Sequence, residues 1–190
     1  MRQLRPLLLI LLACALALAG AFTASAGEPG DPTVPTETDT GPTPEPLLTP
    51  QETQALIDRY RHQTWHWQRV MGRPVTLTLQ QPPAEPTDRI RVWKQIAGRT
   101  QQIAQHPPHA RAWACIHHFE GSWRDPNSPY YGGLQMDLSF QRAYGRYLLS
   151  RKGTANNWTP LEQMWVAERA FRSGRGFYPW PNTARYCGLI

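Results

Sequence analysis

The chain has 190 residues, with 20 Lys and Arg against 14 Asp and Glu, a formal net charge of +6. A 41% hydrophobic fraction supplies a globular core and excludes a wholly disordered chain. The single long apolar run excludes a polytopic membrane protein, and three cysteines exclude a four-thiolate zinc site or a disulfide-dense miniprotein.

Arg2 and Arg5 precede an apolar stretch from Leu7 to Ala19, and small residues follow to Ala24-Ser25-Ala26. A positive start, an apolar middle and an A-x-A end read as a secretory signal over residues 1–26, cut before Gly27. An uncleaved membrane anchor is the alternative, since residues 6–24 are nearly long enough to span. Export places the protein outside the cell, at the wall. Removal of the signal takes Cys14 with it and leaves Cys115 and Cys187. In an oxidising compartment these two most simply pair. The bridge closes a loop of about 73 residues and stabilises by roughly 4 kcal/mol in the chain-entropy picture.

Residues 27–49 are rich in Pro, Thr and Gly and hold Glu28, Asp31, Glu37, Asp39 and Glu45 without a Lys, Arg or aromatic residue. Such a segment buries too little apolar surface to offset its ordering entropy and reads as an acidic, disordered tether. Setting aside Arg2, Arg5 and the five tether acids leaves 18 basic and nine acidic residues, about +9 for residues 51–190. A basic folded part outside the cell fits an anionic cell-wall polymer and fits nucleic acid poorly.

Residues 50–106 read as a helical extension. Thr49-Pro50-Gln51-Glu52 is a helix start, and Leu56, Ile57, Tyr60, Trp67 and Val70 recur at helical spacing until Gly72 and Pro74. Val75 to Leu79 alternates and reads as a short strand. A second helix runs from about Asp88 to Gln105. The pair is either a docking module or a helical extension of the C-terminal region.

Residues 107–190 are denser in aromatics and glycine. A helix starts after Pro107-Pro108 and carries Trp113, Ile116, Phe119 and Glu120. A loop from Gly121 to Pro129 leads to Tyr130-Tyr131-Gly132-Gly133-Leu134-Gln135-Met136, a close-packed turn suited to the side of a cleft. Residues 138–151 read as helical, and Asn156-Asn157 as a loop. Thr159-Pro160-Leu161-Glu162 opens another helix, to about Arg172, which Gly174 and Gly176 end. The fold class is therefore mainly α with a short β-turn segment (α+β).

Glu120 carries the chemistry in this reading. It sits at a helix C-terminus between Phe119 and Gly121, with Trp123 three residues on. The negative end of the helix dipole and apolar neighbours disfavour a carboxylate there, which is the condition a general acid needs. Gln135 and Tyr131 are candidate hydrogen-bonding groups for a sugar, and Trp123 a stacking surface. Asp137 is either the cap of the next helix or a second carboxylate in the cleft. His117-His118 and His106-x-x-His109 lack a three-ligand set and HExxH is absent, so no metal is expected. GxGxxG and GKS are absent too, and no cofactor is expected.

Trp113-Ala114-Cys115, Glu120-Gly121-Ser122-Trp123, Tyr130 to Gln135, Gly174-x-Gly176-x-x-Pro179-Trp180 and Cys187-Gly188-Leu189 occur in this order and together. Over residues 110–190 the chain thereby resembles the transglycosylase-like domain of the resuscitation-promoting factors, a small lysozyme-like fold of actinobacterial exported proteins. The resemblance implies a monomeric peptidoglycan-cleaving domain that acts on glycan strands, beside other cell-wall enzymes, with Glu120 as its essential acid and a Cys115–Cys187 disulfide. It implies that Glu120 protonates the bond between MurNAc and GlcNAc and then takes the proton of the C6 hydroxyl, giving a 1,6-anhydro sugar. Two departures stand out. Four residues separate Cys115 from Glu120, where the family has them adjacent, a shift of about one helical turn. Phe140-Gln141 stands where the family often has Thr-Trp. A hydrolytic muramidase using Glu120 with Asp137, and a non-catalytic wall-binding module, are the competing readings.

Overall fold

A computed structural model describes residues 48–190. The signal over residues 1–26 and the tether up to residue 47 lie outside the described residues. Thr49 starts the first helix as its sequence predicts. Its hydroxyl accepts from the Glu52 amide (3.2 Å), and the Glu52 carboxylate accepts from the Thr49 amide (2.8 Å), a reciprocal capping box. Helix α1 runs Pro50–Val70 and packs along α2, Pro86–Ala104. The facing side chains include Ile57 and Thr64 on α1 and Trp93, Ala97 and Thr100 on α2, all buried. The Arg61 guanidinium lies 5.7 Å from the Trp93 ring centroid, and further along both helices Gln63 hydrogen-bonds Gln101. The two helices therefore run in the same direction, and the segment that joins them travels back along α1.

That returning segment is not a strand. Val75–Leu79 pairs with side chains of α1 instead of another backbone. The Thr76 amide donates to Gln68 Oε1 (2.9 Å), and Trp65 Nε1 donates to the Thr76 carbonyl (2.5 Å). The alternation that reads as β reflects a peptide with one side on a helix, which has the same period of two.

Both helices belong to the same core as the rest. Val70, Met71 and Ala104 join one buried cluster with Trp113, Ile116, Leu134, Trp158, Trp165 and Trp180. Trp165 Nε1 donates to the Ala104 carbonyl (2.7 Å) and Arg172 to the Met71 carbonyl (2.6 Å). Each large side chain fully removed from water contributes roughly 1.5–3 kcal/mol. The described residues thus form one compact unit, with residues 50–106 as an integral extension and not a separately docked module.

Helix α3 spans Ala110–Glu120, and a short antiparallel hairpin follows, β1 (Tyr130–Tyr131) and β2 (Met136–Asp137). Helix α4 (Leu138–Tyr144) and α5 (Arg146–Lys152) fill the stretch expected to be helical over 138–151. The break falls at Gly145, where an added Cβ would stand 2.5 Å from the Trp158 ring. A 3₁₀ turn at Ala155–Asn157 leads to α6, Pro160–Ala170, which repeats the capping box through Thr159 and Glu162. A wide π-helical turn, Phe171–Arg175, ends it two residues before the expected stop, and α7 (Pro181–Tyr186) closes the chain. The architecture is mainly helical with one two-stranded sheet, the α+β class expected. The Sγ atoms of Cys115 and Cys187 are at bonding distance, 2.02 Å, and the disulfide joins α3 to the end of α7.

Candidate active site

Two contacts lay α7 antiparallel along α3. The disulfide fixes Cys115 to Cys187, and one turn further along α3 the Glu120 carboxylate meets Thr183. The four residues between Cys115 and Glu120 thus let both side chains reach the same partner helix. Thr183 is buried, and its hydroxyl lies 2.8 Å from Glu120 Oε1 and 3.3 Å from the Trp180 carbonyl. A hydroxyl has one proton and spare lone pairs. It donates to an ionised Glu120. When Glu120 is protonated it accepts from the acid and turns its own proton to Trp180. One residue therefore holds the carboxyl in either state. Among the described residues no other donor reaches Glu120, which is half-buried.

Glu120 lies on the wall of a cavity of about 210 Å³ with Tyr130, Gln135, Trp180 and Asn182. A second cavity of about 140 Å³ adjoins it and holds Asp137 and Arg175. Tyr130, Gln135, Pro179 and Trp180 line both, so the two form one groove. The groove is framed by the hairpin on one side and by the segment from Arg175 to Asn182 on the other. Trp180 is fixed there because its Nε1 donates to the Leu134 carbonyl (2.6 Å).

The hairpin register decides which tyrosine faces the groove. Tyr130 pairs with Asp137, and Tyr131 with Met136. Paired residues share a face of a two-stranded ribbon, and neighbours along a strand point to opposite faces. Tyr130 is exposed in the groove, while Tyr131 packs against the core. Of the two tyrosines, Tyr130 lines the groove, and Tyr131, the one singled out from the sequence, does not. Trp123 also lies outside the groove. Its ring stacks on His117 with centroids 3.9 Å apart, and it lines neither cavity. Gly133 packs against both rings, where a Cβ would sit 2.5 Å from His117 and 2.7 Å from Trp123.

Gln135 is at the groove as expected. Its amide donates to Asp125 (2.9 Å) and to the Gly132 carbonyl (3.0 Å). It is the non-glycine residue held at a positive φ, 46°, among the described residues. A strained backbone of this kind persists only where its surroundings over-determine it, and it collects at functional sites.

Asp137 takes both of its expected positions. It lines the groove, and it caps α4, accepting from the Phe140 amide (2.7 Å) and the Ser139 hydroxyl (2.7 Å). The backbone bond from Phe140, then the Ser139 bond, lower its pKa, and Arg175 nearby adds to this. Both bonds fall on one oxygen, Oδ1, so the cap fixes the orientation of the carboxylate through that oxygen alone.

Thr183, Tyr130 and Trp180 are functional candidates that the sequence reading missed. So is Gln163, buried on α6, which binds the hairpin from behind. Its Oε1 accepts from the Gly133 amide (2.9 Å), and its Nε2 donates to the Trp123 carbonyl (2.8 Å). Three of the six histidines are engaged in structure: His109, with the Trp113 indole, binds the buried Glu168, His66 binds Glu162, and His117 stacks on Trp123. No protein-family model, curated protein or solved structure matches this chain.

Proposed function

We propose that the chain is an exported, wall-associated enzyme with a lysozyme-like domain, which cleaves the β-1,4 bond between MurNAc and GlcNAc in peptidoglycan. Glu120 is the general acid and then the general base. As acid it gives its proton to the glycosidic oxygen while the C1–O bond breaks. The C6 hydroxyl of the same MurNAc then attacks C1, and the Glu120 carboxylate takes the hydroxyl proton. The product is a 1,6-anhydro end, and no water is consumed.

The observation that carries this reading is the pairing of Glu120 with an amphoteric partner, the Thr183 hydroxyl, at the wall of a polar–aromatic groove. A single carboxyl used twice needs a support that suits both of its states. Tyr130 offers an exposed aromatic face on the groove, the buried Trp180 backs its wall, and Gln135 and Asn182 offer polar contacts. Asp137 lines the same groove with Oδ1 bound to its cap, and the products released decide whether it takes part.

The test is mass spectrometry of the fragments released from purified peptidoglycan. Anhydro-MurNAc ends, absent with Glu120→Gln, support the proposal. Reducing MurNAc ends assign hydrolysis and bring in Asp137. Binding of glycan strands with no release assigns a wall-binding module.

A further inference from the structure

We propose that a pocket between α1 and α5 is a binding site for a phosphate-bearing anion, separate from the Glu120 groove. The cavity is about 450 Å³ and is lined by His62, His66, Arg69, Tyr147, Arg151 and Lys152. It shares no residue with the groove.

The pocket is built on a saturated floor. Glu162 is buried, and Lys152 Nζ holds both of its oxygens, at 2.7 and 2.8 Å. His66 Nε2 lies 3.0 Å from the same carboxylate, and His66 Nδ1 lies 3.3 Å from the Tyr147 hydroxyl. These groups hold the Tyr147 side chain, and two guanidiniums lie near its ring, Arg69 at 5.5 Å and Arg151 at 6.0 Å from its centroid. Lys152 has its counter-ion in Glu162. Among the described residues, neither Arg69 nor Arg151 has a carboxylate within ion-pair distance.

Three cations therefore line one pocket with one committed carboxylate, and two guanidinium forks there have no carboxylate partner among the described residues. Gathering like charges costs energy that an anion in the pocket would return. A lone carboxylate could pair with one fork and leave the other. A phosphate group with two or more charges, or two linked phosphates, presents oxygens to both forks, the geometry that guanidinium matches best. The source is either a free di- or oligophosphate or the phosphodiester backbone of a polymer.

The test is a calorimetric titration of the purified chain with inorganic pyrophosphate at low salt, then with a poly(glycerol phosphate) chain as competitor. One saturable site is expected, weakened roughly fivefold or more by Arg69→Gln and by Arg151→Gln separately. Arg151 is exposed, so its substitution leaves folding intact. Arg142→Gln, exposed on α4 and outside the pocket, is expected to bind like the parent. Displacement of pyrophosphate by the polymer assigns the polymeric source, and failure of the polymer to compete assigns the free anion. Absence of a saturable site overturns the proposal. So does equal weakening by Arg142→Gln and the two pocket substitutions, which would show a diffuse effect of net charge.

Discussion

The buried carboxylates of α6 and the carboxylate at the end of α3 are treated in opposite ways by this fold. Glu162 is held by Lys152, His66 and the Thr159 amide, and Glu168 by the His109 amide and the Trp113 indole. Glu120 has one partner, a hydroxyl, and an open side on a groove. A buried charge is tolerated only when its lone pairs are filled, and an acid so filled has no capacity left for chemistry. An acid left with spare capacity is placed where a substrate can supply the missing contact. The contrast separates structural acids from the proposed catalytic one with no appeal to any relative.

The disulfide gives the largest expected effect on stability. Cys187→Ala removes the tie between α3 and α7 and is expected to cost about 4 kcal/mol in chemical unfolding under oxidising conditions. Because Thr183 rides on the same helix, cleavage activity should fall in the same variant even where it remains folded. Activity equal to that of the parent would show that α7 holds its place beside Glu120 unaided.

Glu162→Gln tests the structural side of the comparison. Burial alone would raise the Glu162 pKa, but hydrogen bonds from His66, Lys152 and Thr159 outweigh it and lower it from 4.5 to about 2. A carboxyl lowered on folding stabilises above its unfolded pKa, and that contribution fades as pH falls toward the folded value. The parent should therefore lose stability between about pH 4.5 and 2, and Glu162→Gln should be less stable at neutral pH by about 2 kcal/mol with a flatter acid limb. Identical acid limbs in urea titrations would remove Glu162 from the account.

Thr183→Val tests the supporting hydroxyl. The exchange keeps the shape of the side chain and removes the one hydrogen bond to Glu120. Turnover is expected to fall about tenfold with KM little changed, the pattern of an interaction that acts on the acid and not on binding. A rise in KM at constant turnover would instead make Thr183 a binding residue. Thr183→Ser, which restores the hydroxyl, should recover most of the rate.

Asp137→Asn carries the smallest expected effect. Asn is nearly as good an N-cap as Asp, so stability should change by only about 0.5 kcal/mol. Under the one-carboxylate route the cleavage rate should stay within about threefold of the parent. A thousandfold loss would make Asp137 a partner of Glu120 and the chemistry hydrolytic.

Local signals carried much of the fold. Thr49 with Glu52 and Thr159 with Glu162 announce two helix starts by residue type and spacing, because a capping box is closed within four residues. The cysteine pair was legible from chain context. The choice between Tyr130 and Tyr131 was not. It depends on hairpin register, which the turn and the Gln163 amide set from α6, some 30 residues away. The place of Trp123 is set by distant residues in the same way. Its stacking on His117 is possible only because Gly133 leaves room for both rings. The Val75–Leu79 segment shows the limit of periodicity, since a peptide bonded to helix side chains alternates like a strand. Thr183 lay beyond any local pattern, 63 residues from its partner.

The central claim is that Glu120 alone performs the acid and base steps on a glycan strand. The most direct measurement compares muropeptide release by the parent and by Glu120→Gln, with products resolved by mass and with melting temperatures recorded for both. The account predicts anhydro-MurNAc ends from the parent, a rate at least about a thousandfold lower for the variant, and unchanged melting. Equal release by the two proteins, or reducing ends from the parent, would contradict it.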